Sequence, residues 1–215
     1  MNEILGIVPT VLIATAGGYL LGALPLAYLI SRRHSDVNIF EVGTGLPGAS
    51  NVRRNVGKLP AVMVLTGDMA KGALAIMLAD FMGVESPWIL LPAGAAVVGH
   101  WKSMFTGFRG GDGLATLGGS IFGLFPILGF ISLAVASLVA LGGQKIPYSS
   151  LFSIVFGYGT LAALTVYYDG DTTLVFGMGG LSGLVLAHAL LGHRRRRHVP
   201  EWDDIGESTG ITEQP

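Results

Sequence analysis

Cysteine is absent from this chain. That removes disulfides, thiol nucleophiles and cysteine-ligated metals from consideration at once. Charge is scarce too: 13% of the residues are Asp, Glu, Lys or Arg, against about 25% in soluble domains. So thin a supply cannot cover the water-facing surface of a globule of 215 residues. The opening MNEILGIVPT has no basic cluster ahead of the first apolar run, so the run does not read as a cleaved signal peptide and is kept as a helix. Internal repeats, common in transporters, are not visible. Several turns lack cations altogether and carry only Glu3, Glu85, Asp169 and Asp171.

What is present is apolar and segregated. Hydrophobic residues make up 51% of the chain, and the mean hydropathy is +0.61. All but one of the 13 Lys and Arg residues fall within Arg32 to Lys58, Lys102 to Arg109, Lys145, and Arg194 to Arg197. Apolar runs separate these stretches, which is the positive-inside signature of a polytopic membrane protein. A spanning helix needs about 20 apolar residues. The runs predict seven helices: Ile7–Ser31, Leu59–Met82, a short Pro87–His100, two from Leu114–Gly143 divided at Pro126, Tyr148–Tyr167 and Thr172–Gly192. Seven helices with the N-terminus outside put every basic cluster inside, whereas six would split the clusters between both faces. The expected fold is therefore all-α, a single seven-helix membrane bundle over residues 1–199. An acidic tail, 200–215, is expected to be cytoplasmic and disordered. Among the 33 glycines, the pairs Gly18/Gly22, Ala95/Gly99, Gly119/Gly123 and Gly179/Gly183 have the small-xxx-small spacing of close helix contacts.

Two loops hold the groups that chemistry would use. The first contains Gly43, Thr44, Gly45, Gly48, Ser50, Asn51 and Arg54. Its G-x-G-x-x-G string marks dinucleotide binding only inside a βαβ unit, for which there is no room. Glycine-rich backbone still exposes consecutive N–H groups that suit an anion; the bland alternative is a flexible connector. The second loop runs from His100 through Arg109, Gly110, Gly111, Asp112 and Gly113 to Thr116. It ends at a helix N-terminus, whose free N–H groups favour an anion. His100 reads either as a helix cap or as a catalyst. Asp68 and Lys71 lie three apart within an apolar segment, where charge is expensive; a structural ion pair and a catalytic role both fit. Arg194–Arg197 reads chiefly as a topology anchor attracting anionic lipid at about 1 kcal/mol per residue. His188, inside the last segment, has no assigned role.

Together Gly22-Ala-Leu-Pro25-Leu-Ala-Tyr28, GTGLPGASNVRR, Gly67-Asp68-Met-Ala-Lys71-Gly72 and GH…GFRGGDGLAT resemble the bacterial PlsY family of acyl-phosphate:glycerol-3-phosphate acyltransferases over nearly the whole chain. The resemblance implies transfer of a fatty acyl group from acyl phosphate to glycerol 3-phosphate, giving lysophosphatidic acid for phospholipid synthesis. It implies a multi-pass protein of the bacterial inner membrane with its site on the cytoplasmic side, membrane lipid as surroundings, no nucleic acid, no metal and no cofactor. Carried over position by position, it implies catalytic roles for Thr44, His100 and Arg54. It implies phosphate binding by Gly43, Gly45, Gly48, Ser50, Asn51, Arg109, Gly110, Gly111, Gly113, Thr116, Ser150 and His193.

The chain departs from the family pattern in places. Thr44 and Ser50 exchange one hydroxyl residue for another, Leu46 replaces an Asn, and Arg109 replaces a Lys with the charge kept. Asp112 replaces a second Lys and swings the local charge by two units. In the C-terminal motif His193-Arg194 is the nearest match, and Arg196 occupies the family's Asn position. Alongside an active acyltransferase stand two alternatives: a divergent member with another acceptor or donor or no activity, and a small transporter or lipid-binding scaffold.

Overall fold

The structure is a computed structural model that describes the backbone of residues 2–143 and 149–196, and the side chains of residues 6–143 and 151–192. Within these residues the chain is all-helical, with no strand. The elements are α1 (Asn2–Ala23), α2 (Leu26–Ser35), α3 (Ala49–Asn55), α4 (Lys58–Phe81), α5 (Leu90–Trp101), a 3-10 turn (Met104–Thr106), α6 (Leu114–Leu124), α7 (Pro126–Gly142), α8 (Ser149–Tyr167) and α9 (Thr172–Arg196). Three stretches are long and apolar enough to cross a membrane: Gly6–Ser35, Lys58–Phe81 and Thr172–Gly192. Shorter apolar helices fill Leu114–Leu124, Pro126–Gly142 and Leu151–Tyr167. Much of the apolar surface faces outward, with Phe81, Ile127, Phe130, Leu138 and Phe176 exposed. Such an exterior suits hydrocarbon, where hydrophobic side chains lose nothing by exposure.

The expected first helix, Ile7–Ser31, is interrupted. α1 stops at Ala23 and α2 begins at Leu26, because Pro25 has no N–H to continue the ladder. The expected division at Pro126 is where α6 gives way to α7. The first loop holds a helix that periodicity did not reveal: α3 is only seven residues long and mostly polar. α9 runs past Gly192 into the arginines. Its exposed N-terminus is capped by Asp171, whose carboxylate accepts from the Leu174 N–H at 3.0 Å. That hydrogen bond holds the Asp171 carboxyl below its usual range.

Glycine sets the helix spacing. α1 packs on α5 and α4, α4 on α6, and α7 on α8. A Cβ on Gly22 would stand 2.0 Å from the Ala96 carbonyl oxygen, one on Gly99 2.3 Å from that of Tyr19, and one on Gly119 1.8 Å from that of Met69. Backbones this close leave no room for any side chain. Ala96, one residue beyond the expected Ala95, faces Gly22. Gly183 meets nothing within 4 Å, so it is not a packing residue. α7 and α8 are also joined by hydrogen bonds, Ser153 to the Ala136 carbonyl at 2.8 Å and Ser132 to that of Gly157.

Candidate active site

The break between α1 and α2 strands the last carbonyls of α1, as every helix end does. Inside a membrane such groups need partners from the protein. Ser103 Oγ donates to the Ala23 carbonyl at 2.5 Å, and Lys71 Nζ donates to that of Leu24 at 2.9 Å. Tyr19 supports the same junction from α1, its hydroxyl donating to the Lys102 carbonyl at 2.9 Å. The break is thus sealed by α4 on one side and by the second glycine-rich loop on the other.

Lys71 does more than close the break. Its ammonium lies 2.8 Å from Asp68 Oδ1 and 3.2 Å from His100 Nδ1, and His100 Nδ1 lies 3.8 Å from Asp68. All three residues are buried. A charged side chain at a helix centre in a membrane costs about 3 kcal/mol on insertion scales, and pairing offsets that cost. The pair is structural and also stands in the immediate surroundings of the histidine. Its spacing on α4 was visible beforehand; its partner on α5 was not.

The first loop is organised around Asn51, which is 2% exposed. Its Nδ2 faces the carbonyls of Ile39, Val42 and Leu46 at 3.2, 3.0 and 3.0 Å. Its Oδ1 accepts from the Thr44 N–H at 3.2 Å and from Asn55 at 2.8 Å. Three acceptors on one side and two donors on the other fix the amide orientation. Gly43 passes beside this amide at φ +57°, where a Cβ would stand 2.3 Å from Asn51 Oδ1. Asn51 therefore shapes the loop from within, while Thr44 is exposed on it and Ser50 and Arg54 are exposed on α3.

The second loop folds back over the end of α5. The Gly111 N–H donates to the His100 carbonyl at 3.2 Å. A Cβ on Gly111 would lie 2.5 Å from His100 Nε2 and 3.0 Å from the Pro47 carbonyl. His100, the second loop and the first loop therefore meet at this glycine. Arg109 ties the loops again: its guanidinium sits 4.3 Å above the Phe40 ring and donates to the Phe40 carbonyl at 3.3 Å. Trp101 anchors the far end, donating to the Asp112 carbonyl at 2.8 Å and stacking on His188 of α9 with ring centres 4.4 Å apart. Between the loops and the helix break lies a cleft of about 20 Å³, lined by Pro47, Asp68, Lys71, His100, Arg109 and Gly110 among others.

The predicted residues sort accordingly. His100, Arg109, Gly110 and Gly111 converge with Pro47. Thr44, Gly45, Gly48 and Ser50 are neighbours of Pro47 in the chain but do not line the cleft. Thr116 is fully buried, and its carbonyl lies where a side chain on Gly72 of α4 would go. It faces the bundle and does not line the cleft. Gly113 caps α6 at φ +85° under the Trp101 ring. Asp112 is half-buried in the same turn. Ser150, His193, Arg194 and Arg196 lie outside the residues whose side chains are described, as do the Lys145 turn and the acidic tail. Asp68, Lys71, Ser103 and Phe40 were not singled out as site residues by the motifs, yet all line the cleft.

A second space opens where the second loop ends. Leu114, directly after Gly113, begins a mostly apolar groove of about 320 Å³, within the ~300–1,000 Å³ typical of small-ligand sites. Met69, Leu117, Ile121, Leu133, Ala136 and Ile154 line it, together with Ser132, Ser153, Tyr158 and Ser182. A small cleft that holds charged side chains and an apolar groove thus lie at the two ends of one glycine-rich turn.

Comparison with known proteins shows what the chain is similar to. The sequence profile described as "Glycerol-3-phosphate acyltransferase" matches residues 12–198. A glycerol-3-phosphate acyltransferase of Synechococcus sp. (strain JA-2-3B'a(2-13)) is 36% identical over 186 residues, 86% of this chain and 88% of that one. One from Hydrogenovibrio crunogenus is 35% identical over 200 residues, 93% and 91% of the two chains. Crystal structures of PlsY, an integral membrane glycerol 3-phosphate acyltransferase, in a glycerol 3-phosphate form and a lysophosphatidic acid form, superimpose with a TM-score of 0.71. They share 28% identity and cover 86% of this chain and 90% of theirs.

Proposed function

Since the chain belongs to the glycerol-3-phosphate acyltransferase family, we propose that it acylates glycerol 3-phosphate from an acyl phosphate donor, releasing lysophosphatidic acid and inorganic phosphate. The observation that carries this reading is the meeting of both glycine-rich loops at His100 and Gly111, with an apolar groove starting at Leu114. Phosphate headgroups suit the first, an acyl tail the second.

The step balances without an added reactant. The glycerol hydroxyl oxygen bonds to the acyl carbonyl carbon, the bond from that carbon to the phosphate oxygen breaks with its electrons leaving on phosphate, and the hydroxyl proton ends on the released phosphate. The donor's own phosphate serves as the base. The protein's contribution is then orientation and charge stabilisation. His100 offers an N–H at the loop junction, Arg109 and Arg54 supply positive charge, and Thr44, Ser50 and the backbone of Gly43, Gly110 and Gly113 supply donors, while the Gly45, Gly48 and Gly111 N–H groups are held by the carbonyls of Val42, Leu46 and His100 and shape the loops instead. Ser150 and His193 complete the proposed phosphate contacts. Thr116 and Asn51 act from behind, holding α6 and the first loop in shape. We place this site on the cytoplasmic face of a bacterial inner membrane, in one domain of seven spans with the N-terminus outside.

Purified protein in lipid nanodiscs, given acyl phosphate and glycerol 3-phosphate, should release phosphate and lysophosphatidic acid in equal amounts. Release no greater than that of His100→Ala overturns the reading. One residue favours a second version, in which the acceptor differs. Asp112 stands where the family carries Lys, and a carboxylate repels phosphate by about 4 kcal/mol at 4 Å and an effective dielectric of 20, and by less when solvated. A large gain in glycerol 3-phosphate acylation by Asp112→Lys supports that version; unchanged kinetics counts against it.

A further inference from the structure

The buried Asp68–Lys71 pair exceeds what the helix break requires. The Leu24 carbonyl already accepts from the Leu26 N–H at 3.0 Å, and Ser103 closes Ala23 with a neutral hydroxyl. A neutral side chain on α4 would serve Leu24 equally well without a charge to bury. What an ammonium adds is three hydrogens and no acceptor. Three acceptors surround it: Asp68 Oδ1 at 2.8 Å, the Leu24 carbonyl at 2.9 Å and His100 Nδ1 at 3.2 Å. With every hydrogen directed, Nδ1 of His100 must be the acceptor. The proton of a neutral imidazole then sits on Nε2, since the partner of one ring nitrogen fixes the state of the other. Nε2 is the nitrogen turned to the loop junction, beside the place where a Gly111 side chain would go and near the Pro47 carbonyl.

We propose that Lys71 is a positioning residue, which with Asp68 holds His100 as its Nε2–H tautomer and aims that N–H at the junction of the two glycine loops. The inference rests on the reading of that junction as the phosphate site. Asp68 neutralises the ammonium and orients it, so Asp68, Lys71 and His100 act as one chain from α4 through α5 to the cleft. The charged or titratable groups facing His100 are Asp68 and Lys71 from α4 and His188 from α9. The last is itself stacked on Trp101. A fixed N–H donor stabilises charge that develops on a phosphate or carbonyl oxygen and needs no reorientation during the reaction.

Nitrogen NMR of protein labelled with 15N-histidine tests this directly, with His100→Asn used to assign the resonances. In the parent protein at neutral pH, His100 should show a pyridine-type Nδ1 and a pyrrole-type Nε2. A pyrrole-type Nδ1 overturns the proposal whether or not the protein is an acyltransferase, and it needs no mutant to fold. The kinetic arm uses the neutral double variant Asp68→Asn/Lys71→Met, which leaves no lone buried charge. Its kcat should fall by about 100-fold, the scale of one lost preorganised donor, with the KM for glycerol 3-phosphate within about threefold and the His100 resonances averaged between tautomers. A folded double variant with parental kcat or a parental His100 spectrum overturns it. If the parent protein lacks activity, the functional reading fails, while the NMR arm still decides the tautomer.

Discussion

At the scale of the residue, Asn51 shows how one side chain can determine a loop. Its amide gathers Ile39, Val42, Leu46, Thr44 and Asn55 around a buried centre. The sequence motif marks it as a phosphate-binding residue, yet its polar atoms are turned inward. Asn51→Asp replaces the donating nitrogen with an oxygen facing three carbonyls, and each buried acceptor left unpaired costs about 1–3 kcal/mol. We expect Asn51→Asp to abolish activity and to open residues 39–48 to protease, while α4 to α9 stay folded by circular dichroism. Asn51→Ala should be milder, because it removes donors without adding repulsion. Equal protease resistance in parent and Asn51→Asp would show that the loop is held by something else. Asp68 and Lys71 teach the reverse lesson. Their presence in an apolar run was legible as an anomaly, but their contact with His100, 29 positions later, depends on how α4 and α5 pack, and spacing does not encode that.

At the scale of the element, two prolines had opposite legibility. Pro126 fell in an apolar stretch too long for one helix, so length forced a break there. Pro25 fell in a run of the right length for one span, and the run hid the break that builds the site. α3 was missed because seven mostly polar residues after a glycine-rich segment give no period to detect. The helix contacts were better marked, since glycine at four-residue spacing identifies close packing, though not which glycines touch. Gly22 and Gly183 separate the cases. A methyl group on Gly22 would occupy the place of the Ala96 carbonyl oxygen 2.0 Å away, whereas one on Gly183 meets nothing. Gly22→Ala must push α1 from α5, and with them the Ser103–Ala23 contact below the cleft. It should lower the thermal midpoint in detergent by several degrees and reduce activity at least tenfold. Gly183→Ala should hold or raise the midpoint, because Ala is favoured over Gly in a helix by up to about 1 kcal/mol. Equal effects from both substitutions would mean that α1 and α5 are not in close contact.

At the scale of the whole molecule, charge segregation and site placement are one fact viewed twice. Phosphorylated substrates need cations, and the positive-inside rule collects cations on one face, so both glycine-rich loops belong on the basic side. The turn at Glu85 and the turn at Asp169 carry only acidic residues, and the proposed orientation puts them on the other. In the proposed orientation α5 joins the two faces, with Glu85 shortly before its first residue and Phe105 shortly after its last. The absence of native thiols makes the orientation measurable, because any introduced cysteine is the only one in the chain. Glu85, Phe105 and Asp169 are all exposed, so substitution there disturbs little packing. In intact cells a membrane-impermeant maleimide should label Glu85→Cys and Asp169→Cys, and should label Phe105→Cys only after permeabilisation. The reversed pattern would invert the proposed orientation. Labelling of Glu85→Cys and Phe105→Cys from the same side would remove α5 as a crossing and, with it, the count of seven spans.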